Sequence, residues 1–77
     1  MKLIGIIGAM EVEVASLKEM MTDVTIRTKA SMEFNHGYLN GKEVVVVRSG
    51  IGKVNAGICT QILVDDYGVD CVINTGI

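Results

Sequence analysis

Leu3-Ile4-Gly5-Ile6-Ile7-Gly8-Ala9-Met10-Glu11-Val12-Glu13-Val14 is the stretch on which the reading of this chain turns. From Lys2 to Ile7 the run is β-branched or leucine apart from Lys2 at its start and one glycine. Such a run predicts a strand buried on both faces, as in a parallel sheet, rather than a half-exposed one. Gly8-Ala9 ends it with small residues. From about Met10 to Met21 the apolar spacing becomes helical: Met10, Val14, Leu17, Met20 and Met21 share one stripe, and Glu11, Lys18 and Glu19 lie opposite. Strand, tight turn and helix start make an α/β junction, and open α/β sheets keep their chemistry beyond the carboxyl ends of the strands.

Outward from there the pattern changes. Val24 to Lys29 and Met32 to Leu39 predict two short strands. Asn40-Gly41 is a strong two-residue hairpin signal. It leads into Glu43-Val44-Val45-Val46-Val47-Arg48, the clearest buried strand, so the middle of the chain predicts an antiparallel meander. Ser49-Gly50-Ile51-Gly52-Lys53 is a second strand-to-helix turn, and a second helix follows from about Val54 to Tyr67, with Gly68 as its C-cap. Asp70 to Asn74 predicts a further buried strand. The second helix carries two apolar flanks, Ala56, Thr60, Leu63, Val64 and Tyr67 on one side and Val54, Ile58 and Ile62 on the other. A surface helix of a monomer needs one such face. The second flank packs on further parts of the same domain or on another subunit, or is a mildly apolar surface.

Composition narrows the function classes. The 77 residues hold one domain or part of one. With 49% hydrophobic residues, a mean hydropathy of +0.44 and no proline, the chain is very apolar for a free domain of this size. It closes on Asn74-Thr75-Gly76-Ile77 without a polar tail, and reads as a fragment of a larger α/β domain. A net charge of −2 argues against nucleic acid, which rewards a basic patch. Residues 3–10 are too short to span a bilayer, and Glu11 and Glu13 follow them without a small-residue cleavage site. The two cysteines, Cys59 and Cys71, lack C-x-x-C spacing, and the single His36 cannot complete a metal set with them. Both read as reduced, buried thiols of a cytoplasmic protein, and no cofactor is expected. His36 reads as a surface or packing residue, Asp65-Asp66 as a solvated pair.

Two motifs invite sharper readings. In Gly50-x-Gly52 the third glycine of a dinucleotide fingerprint would fall at Asn55, and Asp70 opens a strand instead of closing one, so that reading fails. A Walker A loop would need glycine at Val47 and Ser or Thr at Val54. What remains is a glycine turn, either pure turn geometry or one wall of a ligand pocket, with Arg48 and Lys53 beside it as solvated or anion-meeting cations. Glu13 falls inside the apolar stripe, between Leu17 and Met20. A carboxylate there is costly unless hydrogen-bonded. It is either satisfied by its own helix N-terminus or is a general acid or base facing a cleft.

Taken together, Ile4-Gly-Ile-Ile-Gly-Ala-Met-Glu-Val-Glu-Val14, Ser49-Gly-Ile-Gly-Lys-Val-Asn-Ala56 and Asn74-Thr75-Gly76 resemble, in order and spacing, motifs of the 5′-methylthioadenosine/S-adenosylhomocysteine nucleosidases. The resemblance spans residues 1–77 and implies the N-terminal part of one phosphorylase/hydrolase-like domain, a three-layer α/β sandwich with a mixed sheet. It implies hydrolysis of the N-glycosidic bond between adenine and a 5′-thio-substituted ribose, through an oxocarbenium-like transition state. Glu13 would activate the attacking water. Ala9, Met10 and Ile51 would line the substrate, and Ile77, often Ser in the family, would lie near water and ribose. The adenine-protonating Asp, the ribose-binding Glu and the aromatic adenine clamp belong to later parts of the family's domain, so residues 1–77 alone would be inactive. The implied partners are a small adenosine thioether and a second subunit, docked through Val54, Ile58 and Ile62. A purine nucleoside phosphorylase and a non-catalytic α/β assembly module are the alternative readings.

Overall fold

The computed structural model describes residues 2–8, 11–48 and 53–75, with the side chains of Glu11, Glu13 and 53–56 outside that description. Strand β1 (Ile4–Gly8) leads to helix α1 (Glu11–Met20), then β2 (Met21–Lys29), β3 (Met32–Leu39) and β4 (Lys42–Arg48) follow. Helix α2 (Lys53–Ile62) continues into a π-helical turn, Leu63–Tyr67, and β5 (Cys71–Thr75) closes the described chain. The strands form one sheet in the order β2-β3-β4-β1-β5. β2, β3 and β4 pair antiparallel in succession, whereas β1 runs parallel to both β4 and β5. The mixed sheet between helices is the α/β sandwich expected.

Strand alternation divides the apolar residues between two faces. Ile7, Phe34, Val45 and Val47 point to one side, where Cys59, Ile62 and Leu63 of the α2 segment cover them. Ile6, Val44, Val46 and Met21 point to the other, where Val14 and Leu17 of α1 cover them. Val44 to Val47 are between 0% and 3% exposed, so the valine run does sit at the centre. The Asn40-Gly41 turn has φ of 53° and 79°, the paired positive values of a type I′ hairpin turn. Ala30-Ser31 makes the same kind of turn between β2 and β3, with φ of 53° and 62°, although neither residue announces it.

Several expectations need correction. Helix α1 stops at Met20, and Met21 already belongs to β2. Met21 is buried from the strand, whereas Met20 is 58% exposed, so the packed stripe of α1 is narrower than its sequence suggests. Lys18 does not stand opposite that stripe; its Nζ reaches Glu33 Oε1 at 3.2 Å across the edge of the sheet. Within this chain β5 lies at one side of the sheet beside β1, and Cys71 and Ile73 are exposed instead of buried. On α2 the packed face lies between the two expected flanks. Cys59 is at its centre, with Ile62 from one flank and Leu63 from the other, while Ile58, Thr60 and Val64 are exposed. The wider π turn resets the helical phase at Leu63. Tyr67 still comes back to the core, stacked on Phe34 at 5.8 Å between ring centroids and edge-on to His36 at 5.6 Å. Gly68, with φ of 65°, caps the segment as predicted.

The polar residues are placed by local partners. His36 Nε2 lies 2.6 Å from Glu43 Oε2 across the β3–β4 pair. Asp65 and Asp66 are both exposed, as expected, with Asp65 accepting from Gln61 and Asp66 pairing with Lys29. Asp70 accepts the Leu3 N–H at 2.7 Å and its own N–H donates to the Leu3 carbonyl, which staples the amino ends of β1 and β5. That role, at the far end of the sheet, removes Asp70 from any ligand reading.

Cys59 is fully buried, and its thiol donates to Met32 Sδ at 2.9 Å. Burial pushes the thiol up to about 11. The folded protein thus keeps a proton that the unfolded chain loses nearer its ordinary value. Stability conferred by this site is intact below about pH 9 and is lost as pH rises toward 11. Native protein at pH 8 should therefore leave Cys59 unalkylated by iodoacetamide until denaturant is added, as read by peptide mass spectrometry.

Candidate active site

The parallel pairing of β1 with both neighbours brings three strand ends together. Gly8 is in register with Arg48 on one side and with Thr75 on the other. Each of these residues is the last of its strand, and each strand is followed in sequence by one of the glycine-containing motifs. The residues named from those motifs, Ala9, Met10, Ile51 and Ile77, lie outside the described residues. What is described is the frame that leads into them: three flush carboxyl ends, with α1 starting after the first and α2 after the second. Thr75 ties two of the ends together, its Oγ1 donating to the Ile7 carbonyl at 3.4 Å.

Glu13 lies in the first turn of α1, on the amino-terminal half of the helix macrodipole. Its side chain is outside the description, but its position on the helix is fixed. Val14, the next residue, is 7% exposed and packed against the sheet, and Leu17 is half-buried behind it. By helical geometry position 13 is about 100° from Val14 and about 40° from Leu17. With Met20 exposed, position 13 is at the margin of the packed face instead of inside it. Val54 likewise belongs to α2 with its side chain undescribed, Ile58 is 41% exposed, and Ile62 is in the core at 8%.

On the other flank of α1 lies a cavity of about 270 Å³, with Val14 and Lys18 on one wall and Glu33, Asn35 and Arg48 on the other. Asn35 is 1% exposed. Its Nδ2 donates to the Val46 carbonyl at 3.0 Å, and its Oδ1 has no hydrogen-bond partner among the described residues. The sequence does carry a signal for it: an amide inside a strand whose buried neighbours are apolar or glycine. Among the described residues no group of three or more His, Cys, Asp or Glu could hold a metal ion.

Comparison with known proteins gives these features a context. The family model described as the phosphorylase superfamily matches residues 3–77. A 5′-methylthioadenosine/S-adenosylhomocysteine nucleosidase from Shewanella loihica is 59% identical over 73 residues, which are 95% of this chain and 32% of that protein. Among solved structures, a nucleosidase of the same description from Colwellia psychrerythraea, in complex with adenine, superposes with a TM-score of 0.93 at 53% identity. That match covers 97% of this chain and 31% of the other. The Neisseria meningitidis nucleosidase in complex with methylthio-immucillin-A gives a TM-score of 0.92 at 43% identity, over 99% and 33% of the two chains. The chain thus spans about a third of the length of the relatives it matches.

The buried Nδ2 donor to Val46 makes Asn35 a sensitive position. Asn35→Asp places a carboxylate oxygen where the amide donates to Val46, and charges a buried site. It should lower stability at pH 7 by at least about 1–3 kcal/mol. Part of the loss should return toward acid pH as the carboxyl takes a proton, a trend that denaturant titrations at two pH values will measure.

Proposed function

Because the chain belongs to the phosphorylase superfamily, we propose that it forms the N-terminal part of a nucleosidase domain that cleaves 5′-methylthioadenosine and S-adenosylhomocysteine to release adenine. The observation that carries this reading is the 59% identity to a nucleosidase of that specificity, spread over 95% of the chain. The flush ends of β1, β4 and β5, each followed in sequence by a motif of those enzymes, support it.

Chemically, Glu13 is the base. Water is a poor nucleophile toward an anomeric carbon until a carboxylate takes its proton, and the same negative charge stabilises the oxocarbenium-like sugar. The first turn of a helix favours the ionised carboxylate. Ala9 and Met10 before that helix, Ile51 in the second turn and Ile77 after β5 line the ribose and 5′-alkylthio regions. The acid that protonates adenine comes from another part of the domain. A phosphorylase would need to hold an anion beside two glutamates, Glu11 and Glu13, which disfavours phosphate as the nucleophile.

Glu13→Gln in the protein as its gene encodes it should lower kcat for methylthioadenosine by about 10²–10⁴-fold, the usual share of a general base. An unchanged rate removes Glu13 from the role. Release of adenine in phosphate-free buffer separates hydrolysis from phosphorolysis, which would show strict dependence on phosphate.

Assembly and location belong to the same proposal. The Val54–Ile58 flank of α2, where Ile58 is 41% exposed, is the surface we assign to a second subunit; Ile62, committed to the core at 8%, is not part of it. Ile58→Asp should then shift the sedimentation coefficient to that of a monomer. Two free cysteines suit a reducing cytoplasm, and among the described residues no helix is long and apolar enough to cross a membrane.

A further inference from the structure

Helix α1 is held to the sheet by little. Among its described side chains Val14 alone is buried; Val12, Ala15, Ser16, Glu19 and Met20 are exposed, and Leu17 and Lys18 are half-buried. Val14 meets the sheet at the last residue of β1. A Cβ placed on Gly8 would lie 2.7 Å from Val14 Cγ2, closer than real Cβ atoms approach. Gly8 is not in a left-handed conformation, so its requirement for glycine is one of space and not of φ.

The geometry points to Gly8 and Val14 as a positioning pair for the base: the absent side chain at Gly8 is the seat that sets how closely α1 approaches the strand ends. This rests on the reading of Glu13 as the residue that activates water. Val14 is the next residue along the helix, about 3.8 Å away from Cα to Cα. A helix turn moves as a unit, so what displaces Val14 displaces position 13 with it. Restoring ordinary contact to a Cβ at position 8 means moving from 2.7 Å to at least 3.4 Å. Thr75 Oγ1 is 3.7 Å from the same point and bonded to the Ile7 carbonyl, so β1 has little freedom to give way toward β5, and the helix takes the shift. Catalytic geometry is sensitive on this scale: misplacement by about 1 Å can cost about 10²-fold in rate. Ala9 and Met10, which follow Gly8 in sequence, belong to the proposed substrate lining, so KM changes as well, but the binding contacts made by other parts of the domain remain and the larger loss falls on kcat.

The test is a size exchange in the protein as its gene encodes it. Gly8→Ala should lower kcat by between about 10-fold and 10²-fold, with KM changed by a smaller factor, measured well below the melting temperature. Gly8→Ala combined with Val14→Ala removes the colliding methyl and should recover most of the loss. Should Gly8→Ala alone not fold, Val14→Ala decides: the double variant, with the methyl introduced at position 8 refilling the space, should be the faster of the two. A wild-type kcat in Gly8→Ala overturns the proposal, as does a double variant no faster than Gly8→Ala or, in the second comparison, than Val14→Ala. Glu13→Gln separates the two readings. If it is slow while Gly8→Ala is not, the positioning pair fails alone; if it keeps full rate, the base assignment fails and takes the pair with it.

Discussion

The double parallel pairing of β1 is the constraint on which the rest of the structure depends. A strand of five residues, Ile4–Gly8, bonds to β4 on one side and to β5 on the other. Parallel neighbours cannot be joined by a tight turn. The chain between β1 and β4 therefore has to leave the sheet, and it does so through α1 before returning through β2 and β3. Between β4 and β5 it leaves again through α2. One helix covers each face, and the carboxyl ends of all three parallel strands share one edge. Both the sandwich and the location of the motif residues follow from that pairing.

β4 carries the complementary burden. It must accept β3 antiparallel and β1 parallel, so it is bonded on both edges and covered on both faces. Four consecutive valines meet that demand, since both faces of the strand are apolar surroundings. Asn35, paired with Val46 in register, is the exception beside it. Its amide donor satisfies the Val46 carbonyl, and its oxygen has no hydrogen-bond partner among the described residues.

Much of this is legible in the residues, for identifiable reasons. Asn40-Gly41 states its turn because those residue types tolerate positive φ, and the valine run states its burial because nothing else explains it. Ala30-Ser31 hides an equivalent turn: the register of β2 on β3, and not local preference, forces both residues to positive φ. The end of α1 is hidden too. Met20 and Met21 are chemically identical, and only tertiary structure makes one the exposed end of a helix and the other the buried start of a strand. The phase of α2 is obscured because periodicity assumes one pitch, and a π turn has another. Of the candidate site, the motif residues come from resemblance. The cavity behind α1 does not, because it is assembled from a helix, a hairpin turn and a strand end far apart in sequence.

The narrowness of the packed stripe on α1 bears on the chemistry proposed for it. A carboxylate in the middle of an apolar face tends to be held neutral, because burial disfavours the charged form. A neutral acid cannot take a proton from water. A carboxylate on a fully solvated face is ionised but held by nothing. Position 13 is between these limits, at the margin of the face that Val14 anchors and in the turn where the helix dipole favours negative charge. The polarity of α1 and Val14, the one buried anchor among its described side chains, are therefore compatible demands on the helix. A more amphipathic helix would be better bound to the sheet and worse suited to present a base.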